Sequence, residues 1–475
     1  MLQTWPASLN RAVIKRHRKR DQAKCSFLRE AAGFLGLEGL SYSCCSINPK
    51  RKELMNMSKN MLCGCDVSLE NNTVWLMLDD GSQPAKLFNA DNNQLGAETL
   101  VERIYSIAKE HCVSDILIGT EATSMYDWHL LEYLAESKLA LEFNLKLYRF
   151  NAKWIKNFKK SLAPRGKSDP IDSFAIAERL RMGRLPKEYI PDTKYQPLRK
   201  LTRFRFHLMQ QIAREKNFFL ANLFLKASAY SRVSPFGSTF SATSLSVIND
   251  FFSVDELAAM PVEELTEFIL EKGKSHFSKP AEIVDNLKRV ARESYRLKPE
   301  LAPTVNLILA STFNNIRCYK EQVKLVDEAI AENLKAFRHT LDSISGIGPV
   351  YAAGILAEIG DVHRFLNDSS LAQFTGLTWP KHQSGRFQAE ETRMSHAGNQ
   401  YLRYYLVEAA NSVKRCDATY KAFYEKKYKE ATKHHHKRAL VLTARKLVRL
   451  VWTLLTRQVL YQPGYCSFED LSKIG

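Results

Sequence analysis

No apolar run in the 475 residues is long enough to cross a membrane, and the basic N-terminal stretch lacks the apolar segment of a secretory leader. Together these absences predict a soluble, cytoplasmic chain. Nine cysteines are scattered, and the close pairs Cys44/Cys45 and Cys63/Cys65 have no second pair at zinc-ligand spacing. An odd number without a framework predicts free thiols in a reducing compartment. Negative charge is in short supply. Fifty-one Asp and Glu face 69 Lys and Arg, for a net +18 and a pI near 9.4. That balance favours an anionic polymer as partner, although it also serves solubility. The length predicts two or three domains with ample core.

Residues 1–60 differ from the remainder, with twelve Lys and Arg against four Asp and Glu, the cluster K-R-H-R-K-R at Lys15–Arg20 and no apolar period. They read as a basic extension. From Met61 onward strands and helices alternate: M-L-C-G-C-D-V-S and T-V-W-L-M-L-D-D as paired strands, K-L-F-N-A as a third, a helix at Glu98–Cys112, a strand at Asp115–Gly119, a helix at Trp128–Ser137 and a strand at Leu145–Phe150. This predicts an α/β layer with a mixed sheet over residues 61–195. Asp66 and Glu121 stand at strand ends. In K-S-D-P-I-D-S-F, Asp169 and Asp172 are three apart and share a helical face. Asp169 before Pro170 also has the form of a helix cap, with Asp172 at the reciprocal position. Four carboxylates converging at strand ends suit hard divalent cations, which activate a nucleophile and stabilise a leaving oxygen at phosphorus. Asp115 and Asp127 read as solvated surface charges.

Residues 196–341 read as helical, with an amphipathic helix at Leu198–Lys226, a serine-rich loop at Ser228–Ser244 and a capped start at Ser253. Val323, Val326, Ile330, Leu334, Phe337 and Leu341 form a short coiled-coil seam, which serves an intramolecular antiparallel pair as well as a dimer. In S-I-S-G-I-G-P-V-Y-A-A-G, Gly346 and Gly348 predict a helix-hairpin-helix-like turn that leaves amide N–H groups free for a phosphate, or an ordinary helical hairpin. Pro380 and Gly385 bound a loop carrying Ser384, with Lys381, His382, Arg386 and Arg393 nearby. A Ser-Gly pair in a loop is far more often a turn than a nucleophile. Lys421–Lys433 is basic with aromatics at Tyr420, Phe423, Tyr424 and Tyr428, which serve to stack on bases or to pack. His434–His436 reads as a polar surface run.

The blocks G-I-G-P, A-E-I-G-D, F-T-G-L-T, Q-S-G-R and H-A-G-N-Q-Y-L-R, in that order, resemble the C-terminal domain of the DEDD transposases of bacterial insertion sequences, the insertion-sequence-110 family of bridge-RNA-guided recombinases. The order D, E, D, D of Asp66, Glu121, Asp169 and Asp172 resembles that family's RuvC-like, RNase H-type domain. The resemblance implies that these four residues bind Mg²⁺, with Mn²⁺ as a substitute, and that Ser384 attacks DNA to form a 5′-phosphoserine link. It further implies a structured bridge RNA pairing with donor and target DNA, a coiled-coil middle region, a mainly helical transposase domain over 342–475, and a homo-oligomer, a tetramer, in which acidic and serine domains of different protomers meet. Gly346, Gly348, Lys381, Arg386, Arg393, Asn399 and Arg403 are the candidate nucleic-acid contacts. The family pattern starts near Met61, so residues before Met55 read as dispensable. Two alternatives stand beside this reading: a metal-only nuclease of Holliday-junction type that treats Ser384 as a loop residue, and a catalytically silent nucleic-acid-binding protein.

Overall fold

The computed structural model describes residues 60–122, 125–162, 169–190, 194–251, 253–273, 277, 279–379, 383–384, 387–388, 394–395 and 397–463. The chain divides into two compact units between Pro191 and Asp192. The basic extension and the candidate contacts Lys381, Arg386 and Arg393 lie outside the described residues.

The first unit runs β1 (Asn60–Val67), β2 (Asn71–Leu78), β3 (Phe88–Asp91), α1 (Gln94–Glu110), β4 (Asp115–Glu121), α2 (Asp127–Glu136), α3 (Lys138–Glu142), β5 (Asn144–Phe150), α4 (Ala152–Ser161) and α5 (Asp169–Arg181). Its sheet has the order β3-β2-β1-β4-β5, antiparallel among the first three and parallel from β1 through β4 to β5. Both faces are covered, which explains why β1 and β4 read as near-continuous apolar runs rather than alternating ones. Cys63, Cys65, Ile116 and Ile118 point into a core shared with α1 and α2. Leu62 and Phe150 point the other way, with Ile176, Ala177 and Leu180 of α5. Burial pushes the Cys63 thiol up to about 12 and raises Cys65 as well, so both are small apolar core residues rather than nucleophiles.

The second unit is helical. It runs α6 (Gln196–Lys226), α7 (Tyr230–Val233), α8 (Ala242–Asp250), α9 (Val254–Ala259), α10 (Val262–Lys272), α11 (Pro280–Glu293), α12 (Ala302–Leu334), α13 (Pro349–Ile359), α14 (Asp368–Thr375), a two-residue ribbon of β6 (Gln383–Ser384) and β7 (Phe387–Gln388), α15 (Gln400–Cys416), α16 (Ala418–Glu430) and α17 (His435–Arg457). Among the described residues no helix is long and apolar enough to cross a membrane.

The two longest helices, α6 and α12, pack antiparallel. Arg205 pairs with Asp327 at 2.5 Å near one end, while Phe219 and Leu223 share a core with Val305, Leu309 and Ile316 near the other. The seam residues Val326, Ile330, Leu334 and Leu341 are buried inside this chain, so the seam serves an intramolecular pair. Helix α12 ends at Leu334, so Phe337 and Leu341 follow it in a turn and a 3-10 segment. The serine-rich stretch expected as a loop contains the single turn of α7 and the start of α8, capped by Ser241. The expected helix-hairpin-helix is also shorter. A 3-10 turn at Leu341–Ser343 leads through Gly346, at φ +99, into α13.

One buried cation makes the helical unit pH-sensitive. Lys226, 7% exposed, donates to the Ile248 carbonyl at 2.6 Å, and burial lowers its pKa to about 8. Its folded value lies below that of the unfolded chain, so between about pH 8 and 10 the unfolded state holds more protons and stability rises with pH. One proton sets a slope of at most about 1.4 kcal/mol per pH unit. Urea unfolding followed by circular dichroism at pH 7.5 to 10 should show this rise in the natural chain and not in Lys226→Met. Equal slopes in the two proteins would exclude Lys226 as its source.

Candidate active site at the strand ends

Parallel pairing of β1 with β4 sets Cys65 beside Thr120, so the next residues, Asp66 and Glu121, are neighbours at the C-terminal edge of the sheet. Which face they share follows from two glycines. A Cβ on Gly64 would collide with the Ser173 carbonyl of α5, and one on Gly119 would come within 2.9 Å of Ile176 and 3.3 Å of Leu180 of the same helix. Both glycines therefore face α5 and let it lie against the strands. Side chains alternate across a strand, so Asp66 and Glu121, each two residues beyond its glycine, face α5 as well. The repeated pattern Gly-x-Asp and Gly-x-Glu, in C-G-C-D and I-G-T-E, was the sequence signal for this shared face.

Asp172 comes from the first turns of α5, next to the Ser173 that overlies Gly64. One of its carboxylate oxygens accepts from Lys159 Nζ at 2.6 Å. Glu121 is half-buried. Burial raises its pKa, the positive charge of Lys159 opposes this, and the negative charge of Asp172 adds to it. Three of the four sequence-predicted acids thus occupy one face of one sheet edge. Asp169 begins α5, and its side chain lies outside the described atoms. Lys159, on α4, is a site residue that sequence spacing gave no reason to select.

Asp127 corrects an expectation. It is 2% exposed rather than a solvated surface charge, and its carboxylate takes Arg149 Nε at 2.5 Å, Arg149 Nη2 at 2.7 Å and the Thr120 hydroxyl at 3.2 Å. Arg149 is paired in register with Thr120, so this cluster sits on the face opposite α5 and braces the ends of β4 and β5. Asp115 accepts from the Ser114 hydroxyl and Asn144, which hold its carboxyl below the usual range.

In the second unit Ser384 belongs to the ribbon, not to an irregular loop. It pairs with Phe387 in that ribbon. Two candidate contacts have internal partners. Asn399 caps α15 by accepting from Tyr401 and Leu402 amides at 3.0 Å and donates to Glu358 at 2.6 Å, while Arg403 donates to the Thr375 carbonyl at 2.9 Å. Gly348 is exposed at the N-terminus of α13 and makes no side-chain cap.

Carboxylate oxygens of this kind suit a hard divalent cation. Among the described residues no three His, Cys, Asp or Glu side chains are gathered closely enough to hold one, and the ammonium of Lys159 supplies the positive charge beside Asp172. The donor type and the common face of Asp66, Glu121 and Asp172 suit such an ion, but these three side chains alone do not close a ligand set around it.

A mixed sheet with acids at adjacent strand ends, followed by helices, is the frame of a DEDD transposase, and a transposase profile of that type matches residues 63–225. A second profile, described as the transposase IS116/IS110/IS902 family, matches residues 338–425. The chain belongs to this family of insertion-sequence transposases. It is similar to the transposase for insertion sequence element IS1111A of Coxiella burnetii, at 29% identity over 37% of this chain and 48% of that protein. It is also similar to a probable family 20 transposase of Pseudomonas aeruginosa, at 31% identity over 26% of this chain and 36% of that protein. The insertion element IS900 uncharacterized 42 kDa protein of Mycobacterium paratuberculosis is 27% identical over 35% of this chain and 41% of its own length. The chain thus spans less than half the length of each of these curated relatives.

Proposed function

We propose that this protein cuts and rejoins DNA as an insertion-sequence recombinase, using the acidic strand ends and Ser384. The observation that carries the reading is the placement of Asp66, Glu121 and Asp172 on one face at the C-terminal edge of adjacent strands, where open sheets bind ligands. These residues, with Asp169, would hold Mg²⁺, which when bound activates an attacking oxygen and stabilises charge at phosphorus. Lys159 holds the Asp172 carboxylate oriented on that face. The Ser384 hydroxyl attacks the scissile phosphorus and gives its proton to water, and the bond to the 3′ oxygen breaks, that oxygen taking a proton from water. A 5′-phosphoserine link and a free 3′-hydroxyl result, so the bond energy is kept for rejoining. Pairing by a structured bridge RNA with donor and target DNA, and an oligomer that brings the acidic unit of one protomer to the serine unit of another, complete the proposal. A net charge of +18 supports contact with such backbones.

Denaturing electrophoresis of the protein with its RNA, labelled DNA and Mg²⁺ tests the serine step. The natural chain should give a protein–DNA adduct that Ser384→Ala loses entirely, along with cleavage. Cleavage without an adduct in Ser384→Ala would replace this chemistry by that of a metal-only nuclease.

A further inference from the structure

The structure holds a second basic feature that the cleavage chemistry does not use. At the junction of α15 and α16 a cavity of about 290 Å³ is walled by Lys414, Arg415, Lys421, Tyr424 and Glu425. Lys414 Nζ lies 3.9 Å over the Tyr424 ring, and that ring is fixed by a 2.7 Å hydrogen bond between its hydroxyl and His436 Nδ1. The acid nearest in sequence, Asp417, is buried. It is committed to capping α16 through the Tyr420 amide and to the Tyr461 hydroxyl at 2.7 Å. None of Lys414, Arg415 and Lys421 forms an ion pair among the described residues, and Glu425 is the one acid on the rim. Desolvation lowers the Lys414 pKa, and the neighbouring Arg415 adds to it.

Next to this cavity lies the α13 turn. Gly346 packs on α15, where an added Cβ would fall 3.0 Å from the Val413 backbone, one residue before Lys414. Arg415 acts electrostatically on Tyr351 in the first turn of α13, and that helix starts at the exposed, uncapped Gly348. Three cations without an ion pair among the described residues therefore adjoin a helix N-terminus. From residue 414 to 438 nine Lys and Arg face three Asp and Glu, which extends the positive surface along α16.

We infer that Lys414, Arg415 and Lys421 hold a backbone phosphate of a nucleic-acid strand whose path continues to the N-terminus of α13. The inference rests on the recombinase reading and assigns it a backbone anchor separate from the residues that do chemistry. Tyr424 is a positioning residue: its face fixes where the Lys414 charge sits.

The test uses the full chain, a fluorescein-labelled DNA duplex, a labelled RNA hairpin and fluorescence anisotropy over a range of KCl. Lys414→Gln/Arg415→Gln/Lys421→Gln should reduce the slope of log K against log salt by about 0.9, the value of one phosphate contact, and weaken binding roughly tenfold at low salt. Loss on the duplex assigns the anchor to DNA, loss on the hairpin assigns it to RNA, and either supports it. A charge-matched control, Lys279→Gln/Arg289→Gln/Lys335→Gln, removes cations already paired with Glu282, Glu293 and Glu332 and should leave the slope nearly unchanged. A slope in the cavity variant equal to that of the natural chain or of the control, with thermal unfolding unaltered, overturns the anchor while the recombinase reading stands. No salt-dependent binding of either probe by the natural chain would remove both.

Discussion

Arg203→Ala is expected to lower the stability of the helical unit by about 3–5 kcal/mol, more than Glu358→Ala does. The two residues form one bidentate pair, at 2.7 and 2.9 Å, between α6 and α13. Their surroundings are unequal: the Glu358 side chain is 1% exposed, whereas that of Arg203 is 41% exposed. Removing the arginine leaves a buried carboxylate whose other side-chain donor among the described residues is Asn399, and that amide is already held in place by capping α15. Removing the glutamate instead leaves a guanidinium that reaches water and keeps the Tyr401 ring 4.5 Å away, so about 2 kcal/mol is the expected cost. Urea unfolding of both variants and of Arg203→Met/Glu358→Leu measures the asymmetry. The double variant should recover part of the loss, because it removes both charges together. Equal losses in the two single variants would show that burial at Glu358 does not set the balance. The pair matters to function because it ties the α6–α12 pair to the helix that follows Gly348.

Much of this architecture was legible in the chain, and what was not has identifiable causes. The strand order of the first unit follows from apolar runs bounded by turns, and the expected elements differ from the observed ones by a few residues at their ends, but the helices α3 and α4 were not expected. Asp66, Glu121 and Asp172 were legible as acids at element ends. Their common face was written in Gly64 and Gly119 but needs the knowledge that α5 crosses there, which is long-range. Asp127 went astray for the same reason. An acid just before an expected helix looks solvated until Arg149, 22 residues away, is folded over it. Ser384 read as part of a loop because a ribbon of two residues per strand carries no periodicity. Glu358 sits in an apolar helix and gave no sign of partners 155 and 41 residues distant, so its network was invisible to local pattern.

Glu121→Gln and Asp127→Ala, at the same edge of the same sheet, are expected to fail in opposite ways. Glu121 is half-buried and feels Asp172, so its folded pKa lies above the unfolded value. Such a group stabilises the fold when protonated at low pH and loses that contribution as pH rises through its folded pKa; at neutral pH its charge is a cost. Glutamine keeps the shape and removes the charge, so stability should hold or rise slightly. Cleavage should fall by about 10³-fold or more, roughly 4 kcal/mol of transition-state stabilisation, because a neutral amide is a poor partner for a divalent cation. Asp66→Asn and Asp172→Asn should behave alike, with Asp172→Asn also giving up its exchange with Lys159, a partly exposed pair worth at most about 1 kcal/mol. Asp127→Ala removes the bidentate partner of Arg149 and the acceptor of the Thr120 hydroxyl and should cost about 2 kcal/mol or more, while each molecule that remains folded still cuts. Thermal unfolding and single-turnover cleavage, measured on the same preparations with saturating Mg²⁺, separate the two cases. Wild-type cleavage by Glu121→Gln would place the chemistry elsewhere than on the α5 face, whatever the stability of the variant.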